Sequence, residues 1–515
     1  MLSASNYVGV VSNEYDAATG WLASSRGADG AEVSYSRRSG GAVASLTSAA
    51  GTTSYAFDAA GRKTHISSPA GSFALGYCEW NGKLAAVTNA SGFMVQYAYD
   101  IMDRVTNITW KTASGATLGG FAYEYDAVGR IVSRNHAIGL NAFDRVYAYD
   151  DLDRLASDDG VAYMYDAAGN RMTRTENGAT ATYTLGVGDR LASWMGGSYT
   201  YDFAGNVMRI EHDGRPTLDL TWNCQYQLVS VATNGVFAEG YEYDALGRRA
   251  STTTLEGTRR HVYDDNWLVI ADIDENDNVL VSYTWGDGID NLLAVKIGGA
   301  SYYPLTDIQG TVWGYIDSQN NVVARWQYDA WGNVVDEYVA PSAAALANLR
   351  YRFQCREWSA ATGLIHFRMR WYDSGTGRWL SKDPIGLSGG LNSYVICNDN
   401  LLNCRDPLGL CVEDDGKISI TEKIKRVGRG TWNFVKALPS AFMEAVLPPI
   451  SGTVFGGLEG VPTGSALGNE IKAYHDAMES LQSGGLESGD PGNVLRDSEN
   501  AVHQNASAID DAMNL

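Results

Sequence analysis

The stretch YEYDAVGR, from Tyr123 to Arg130, decides the fold because the pattern aromatic–x–aromatic–Asp–x–x–Gly–Arg/Asn recurs along the chain. A short unit that returns many times is the signature of a repeat architecture. Full copies, two of them with Asp in place of the Gly, begin at Tyr55, Tyr97, Tyr147, Tyr163, Tyr199 and Tyr241, and a shorter copy, QYDAWGN, occupies residues 327–333. The copies are unequally spaced, which β-hairpins of different length absorb more easily than stacked helices do.

Each copy has the chemistry of a β-hairpin. The two aromatic residues fall on one face of a strand, because strand side chains alternate with period two. Asp126 is expected to accept backbone N–H groups at the start of a turn, and Gly129 to adopt a positive φ without steric cost. Asp103 takes the glycine position in another copy, and Asp tolerates the same conformation. We therefore predict a mainly β array of hairpins in which the Arg after the turn begins the return strand.

Composition supports this fold and limits the function. The chain has 515 residues with 57 Gly, 30 Tyr and only 11 Pro, a balance typical of short strands joined by turns. Its formal net charge of −21 argues against nucleic-acid binding by the repeat region, which would need a basic face. The six Cys and seven His are scattered without zinc-ligand spacing, so we predict no metal site and no cofactor.

The N-terminal sequence and hydropathy bear on localisation. Residues 1–20 lack the basic and apolar regions of a secretory signal, and no apolar run reaches the length of about 18 residues that a membrane span requires. The expectation is a protein made in the cytoplasm and then secreted or displayed on the cell surface by a route other than Sec.

A second signal follows the repeats at residues 350–410. Two copies of one pentapeptide, DPIGL at 383–387 and DPLGL at 406–410, lie in this segment. Taken alone, Asp-Pro-x-Gly is a turn in which Asp caps, Pro presets φ and Gly takes the last position.

These motifs resemble a known family. The repeats between about residues 15 and 340 are similar to the YD repeats of Rhs proteins, of the C component of insecticidal toxin complexes and of the teneurin shell. Residues 350–410 resemble the Rhs repeat-associated core, although Leu401 stands where the family usually has Pro. The resemblance implies a YD-repeat β-hairpin spiral shell, complete or partial, over residues 1–345. It further implies a core with a self-cleavage module at 346–410 and a variable tail at 411–515.

The resemblance also implies a chemistry for the module. Asp383 and Asp406 match the two carboxylates of an aspartyl-type self-cleavage, and Arg370 matches the assisting arginine. The scissile bond would join Leu410 to Cys411, and each molecule would cut itself once. Two close carboxylates share a proton, so that one acts as a base on water while the other polarises the carbonyl. A rival mechanism, an N-to-S acyl shift by Cys411, has no evident histidine base nearby.

The tail from residue 411 has a different composition. Residues 418–437 and 469–481 predict helices, so the tail is expected to be α-helical. A basic cluster in the first helix, followed by small apolar residues, permits membrane contact, and packing on itself or on the shell is an equal alternative. By resemblance the tail is an effector enclosed by the shell, with delivery machinery and an immunity protein as further partners.

Three functions remain open. The first is a shell that encloses and autoproteolytically releases its C-terminal polypeptide, in toxin delivery or interbacterial competition. The second is a structural or cell-surface adhesion protein that uses the shell without cleavage. The third is a degenerate cassette.

Overall fold

A computed structural model describes residues 3–139, 141–212 and 214–410. The predicted α-helical tail at 411–515, including the helices expected at 418–437 and 469–481, lies outside the described residues.

The described chain is almost entirely antiparallel β-structure. Thirty-three strands form one continuous sheet in which each strand pairs with the next along the sequence. In chain order the strands are β1 Ser3–Ser5, β2 Val10–Tyr15, β3 Leu22–Arg26, β4 Glu32–Arg37, β5 Val43–Ser48, β6 Gly51–Phe57, β7 Lys63–Ser68, β8 Gly71–Tyr77, β9 Leu84–Asn89, β10 Met94–Tyr99, β11 Val105–Lys111, β12 Thr117–Tyr125, β13 Ile131–Ile138, β14 Asn141–Tyr149, β15 Leu155–Asp158, β16 Val161–Tyr165, β17 Arg171–Glu176, β18 Ala179–Leu185, β19 Leu191–Trp194, β20 Gly197–Tyr201, β21 Val207–Glu211, β22 Leu218–Trp222, β23 Leu228–Thr233, β24 Val236–Tyr243, β25 Arg249–Thr254, β26 Gly257–Tyr263, β27 Val269–Ile273, β28 Val279–Trp285, β29 Leu292–Ile297, β30 Ala300–Thr306, β31 Val312–Ile316, β32 Val322–Tyr328 and β33 Val334–Val339.

A small second sheet follows the large one. It contains β34 Glu357–Trp358, β35 Ile365–Phe367, β36 Arg370–Asp373 and β37 Arg378–Trp379, again paired in sequence order. Short 3₁₀ turns accompany it at Pro341–Asn348, Phe353–Cys355, Gly386–Gly389 and Cys397–Asp399.

The repeat motif forms the turn that its sequence predicts. Asp126 Oδ1 accepts the backbone N–H groups of Val128 at 3.1 Å and Arg130 at 2.8 Å. Gly129 has a φ of +93°, and Asp103 takes the same position elsewhere with a φ of +64°. The predicted start of the return strand is wrong by one residue. Arg130 still belongs to the turn, because its carbonyl accepts the Asp126 N–H at 2.9 Å and its Nε donates to Asp126 Oδ2 at 2.6 Å.

Two further contacts join several of the repeats to their neighbours. The hydroxyl of Tyr125 donates to the carbonyl of Val105 at 2.6 Å, and the guanidinium of Arg104 stacks 4.5 Å from the Tyr125 ring centre. The same pair of contacts recurs at Tyr77, Tyr149, Tyr165 and Tyr263. The Arg and the second aromatic residue of the motif therefore connect consecutive hairpins, beyond their roles within one turn.

The large sheet winds back on itself. Asn6 Nδ2 donates to the carbonyl of Tyr243, 237 residues later, and the Ala330 N–H donates to Asp158 Oδ2 across 172 residues. Aromatic side chains pack across the same winding, as where Phe121 meets Trp313 edge-on at 5.5 Å. Every residue of β31 is consequently buried. The prediction of a mainly β, YD-repeat hairpin shell is confirmed.

Candidate functional site

The small sheet packs against the large one and carries the arginine of the candidate site. β35 and β36 form a hairpin in which Phe367 pairs with Arg370 across the two-residue loop Arg368–Met369. The Arg370 side chain is 1% exposed and lies over the Trp379 ring, 4.2 Å from its centre. Tyr372 anchors this sheet to the repeats by donating its hydroxyl to the carbonyl of Trp331 at 2.9 Å.

Both DPxGL segments form Asp-capped turns. Asp383 Oδ1 accepts the Ile385 N–H at 3.0 Å, and Asp406 Oδ1 accepts the Leu410 N–H at 2.8 Å. In the second turn the Gly409 N–H also donates to the Asp406 carbonyl at 3.2 Å. Each carboxylate thus keeps one oxygen for its turn and directs the other away from it.

Those second oxygens meet at Arg370. Its Nη2 lies 2.8 Å from Asp383 Oδ2 and 3.5 Å from Asp406 Oδ2. Its Nε donates to the carbonyl of Gly409, and its Nη1 donates to the carbonyl of Ser393 at 3.1 Å. The structure therefore brings together Arg370, Asp383 and Asp406, while their part in cleavage stays a prediction.

The surroundings of Asp383 favour its protonated form. Burial raises the pKa of Asp383 above its usual value, Arg370 partly opposes that rise, and the nearby charge of Asp406 adds to it. One guanidinium also cannot neutralise two ionised carboxylates at once. Asp383 is thus suited to hold a proton where an exposed aspartate would have lost it.

The backbone before the predicted scissile bond is buried and hydrogen-bonded. Leu410 is 1% exposed and packs with Leu408, Met369 and Ile385 in a small apolar cluster. The Met369 N–H donates to the carbonyl of Leu408 at 3.1 Å, so the second pentapeptide runs along the hairpin loop. Cys411, the other predicted residue of the scissile bond, lies outside the described residues.

Sequence reasoning missed a third arginine contact to this segment. Arg368 Nη1 donates to the carbonyl of Pro407 at 2.6 Å and also meets Asp290, which belongs to the large sheet. A signal was present in the sequence, since Arg368 alternates with Arg370 in HFRMRW, but nothing local pointed to Asp290.

A separate cavity of about 930 Å³ opens between β24–β28 and the segment after β33. Its polar wall includes Arg249, His261 and Arg350, all engaged in a buried network with Glu357 and Asp272. Burial lowers the pKa of His261 to about 4, and the charge of Arg350 adds to this effect. The network pairs its charges internally and links strands β25–β27 of the large sheet to Glu357 of the small one.

Within residues 3–139, 141–212 and 214–410, His, Cys, Asp and Glu side chains nowhere gather in threes as a metal site would require. No helix in those ranges is long and apolar enough to cross a membrane.

Comparison with known proteins defines the class. Residues 112–388, more than half of the chain, match the Teneurin YD-shell family model, and the chain belongs to this family of YD-repeat shell proteins. In sequence it is similar to the tRNA3(Ser)-specific nuclease WapA of Bacillus spizizenii, with 29% identity over 374 residues that cover 70% of this chain and 16% of that protein. It is also similar to the toxin subunit YenC1 of Yersinia entomophaga, with 24% identity over 367 residues, or 61% of this chain and 37% of that protein.

A solved structure shows the same fold. The crystal structure of TcdB2-TccC3-Cdc42 superposes with a TM-score of 0.65 at 19% identity, and the match covers 83% of this chain and 24% of that one. The chain therefore spans well under half the length of these relatives.

Proposed function

We propose that this chain is a toxin-delivery shell that encloses its C-terminal polypeptide and releases it by cutting itself after Leu410. In this proposal residues 1–345 form the repeat shell, residues 346–410 the self-cleaving core and residues 411–515 the released tail. The observation that carries the proposal is the guanidinium of Arg370. It joins the carboxylates of both DPxGL turns and holds the Gly409 carbonyl, one residue before the predicted scissile bond.

The chemistry requires one water molecule and both carboxylates. Asp406 removes a proton from a water molecule while the oxygen of that water attacks the Leu410 carbonyl carbon. Asp383, whose pKa is raised by burial, first polarises the carbonyl oxygen and then supplies the proton that the departing amine of Cys411 needs. Arg370 orients both carboxylates and fixes the preceding peptide group. The products are the Leu410 carboxylate and a tail that begins at Cys411.

The names of two relatives support a role in toxin delivery. WapA is named a nuclease and YenC1 a toxin subunit, and their matches cover 70% and 61% of this chain. We infer that the tail is the cargo and effector of a secreted or surface-displayed protein. Delivery machinery and an immunity protein are its expected partners.

Intact mass spectrometry under denaturing conditions tests the cut. The wild-type chain should give two species that divide between Leu410 and Cys411. Asp383→Asn, Asp406→Asn and Arg370→Ala should each give one uncut chain. Asp317→Asn is the matched control, because Asp317 caps a similar turn with bonds only to residues of that turn, and it should be cut like the wild type.

Two other outcomes have clear meanings. If Cys411→Ala abolishes the cut while Asp383→Asn permits it, the acyl shift by Cys411 replaces the carboxylate mechanism. If the wild type stays whole, the proposal fails and the adhesion or degenerate-cassette functions are favoured.

A further inference from the structure

The hairpin loop that contacts the cleavage segment has an unusual residue at a strained position. Arg368 occupies the first place of the two-residue loop between β35 and β36 with a φ of +58°. Such positions usually hold Gly or Asn, because a Cβ atom makes the left-handed conformation costly and Asn offsets that cost with local hydrogen bonds. Strain of this kind is tolerated where the side chain has a task.

The Arg368 side chain makes three contacts that define such a task. It donates two hydrogen bonds to Asp290, from Nη2 to Oδ1 at 2.7 Å and from Nη1 to Oδ2 at 3.0 Å. The same Nη1 donates to the carbonyl of Pro407 at 2.6 Å. The ion pair is almost fully buried, with side chains 7% and 1% exposed, so water does not screen it.

Asp290 belongs to the large sheet and sits where the repeat departs from its own pattern. The turn between β28 and β29 reads GDGIDN, with Gly286 in place of the usual capping Asp and with one residue more than the turn at 126–130. The longer turn closes by a bond from the Gly286 N–H to the Asn291 carbonyl at 2.8 Å. This departure allows Asp290 to face the small sheet.

Further arginine contacts hold the β28–β29 turn and its Asp290 carboxylate in place. Arg356 Nη1 donates to Asp290 Oδ1 at 2.9 Å. Burial alone would raise the pKa of Asp290, but the charges of Arg356 and Arg368 outweigh burial and lower it. A second tie joins the same loop to the cleavage segment, from Arg405 Nη2 to the carbonyl of Ile289 at 3.4 Å.

We propose that Asp290 is a positioning residue for self-cleavage, which acts through Arg368 to fix the Pro407 carbonyl and with it the path of residues 407–410. This inference rests on the proposed cleavage after Leu410. Because Asp290 lies on the repeat sheet and Arg368 on the core, the site is complete only when the β28–β29 turn has packed against the β35–β36 hairpin. Self-cleavage therefore waits until that part of the shell has closed.

The first test compares cleavage rates in the full chain after pulse-labelled cell-free synthesis. Asp290→Asn and Arg368→Gln should each slow the cut by about 10-fold or more, because small misplacements of reacting groups have large kinetic effects. The double variant should be no slower than Arg368→Gln alone, because the two residues act as one unit. Asp158→Asn is the matched control. It weakens a comparably buried pair, with Arg145 at 2.5 Å, that contacts the repeats instead of the core.

The second test separates positioning from general stability. In Asp383→Asn chains, adding Asp290→Asn should speed hydrogen exchange of the amides of residues 405–410, whereas adding Asp158→Asn should not. A wild-type rate in Asp290→Asn, or equal slowing in Asp290→Asn and Asp158→Asn, would overturn the inference while leaving self-cleavage intact. If the wild type is never cut, the proposed function fails, and unchanged exchange at 405–410 would then reject the positioning contact as well.

Discussion

At the scale of single residues, the proton on Asp383 sets the expected pH dependence of the cut. Burial raises the pKa of this carboxyl above the usual aspartate value, and the proposed mechanism uses its protonated form. The fraction that carries the proton falls as the pH rises through that pKa. We therefore expect the cleavage rate to decline with rising pH, at pH values where an ordinary aspartate would already be ionised.

The measurement is the cleavage rate of freshly synthesised chain across a pH series, with Asp317→Asn as a variant that should give the same profile. A rate that climbs with pH over the same range would show that Asp383 works in its ionised form. The roles of the two carboxylates would then have to be exchanged.

The residues of this site differ in how far the sequence could predict them. Asp383 and Asp406 stand out because each opens a copy of one pentapeptide, and Arg370 stands out by resemblance. Asp290 gives no such signal, because its partner Arg368 is 78 residues away and the pair forms only through the packing of two sheets. Local patterns predict turns and motifs, whereas buried ion pairs between distant segments depend on the completed fold.

At the scale of the hairpin, the turn glycine has a testable energetic role. Gly61 has a φ of +80° and open space around its missing Cβ, so Gly61→Ala introduces backbone strain without a clash. The free energy of unfolding should fall by about 1 kcal/mol. Gly76, within the adjacent strand β8, also has open space but no positive φ, and Gly76→Ala should leave stability unchanged or slightly raise it.

Urea unfolding of the two variants, followed by tryptophan fluorescence, compares their midpoints. Equal midpoints for Gly61→Ala and Gly76→Ala would show that the positive φ at the turn glycine does not affect the free energy of unfolding.

The sequence predicted the hairpin and missed what joins hairpins. Alternating aromatics and the Asp-to-Gly turn follow from local rules, and both are present as expected. The stacking of Arg104 on Tyr125 and the bond from Tyr125 to the Val105 carbonyl link separate units. Their geometry depends on how adjacent strands twist, which a one-unit pattern does not contain.

At the scale of the whole molecule, the proposed enclosure of the tail predicts how the cut products behave. Cutting one peptide bond would leave the strand pairing of the shell unchanged, so an enclosed tail should stay with the shell in native buffer. Size-exclusion chromatography of the cut wild type should give one peak that contains both pieces, and the pieces should separate in denaturant.

The outcome that contradicts enclosure is equally clear. A tail that elutes apart from residues 1–410 without denaturant would be displayed outside the repeats, and the adhesion function would then gain support over cargo release.

The winding of the sheet marks the limit of prediction at this scale. The contacts of Asn6 with Tyr243 and of Asp158 with Ala330 join hairpins 237 and 172 residues apart. These offsets result from twist accumulated over many strands of unequal length, so no short motif encodes them.

The burial of Leu410 has one more consequence. A cut after this residue would create a new chain end one residue beyond the Gly409 carbonyl that Arg370 holds, and Asp406, Arg368 and Met369 would keep the preceding backbone in place. The site would remain occupied by its own product, which another polypeptide would have to displace before it could bind. Such a shell would be inert toward its neighbours and toward the cargo that it has just freed.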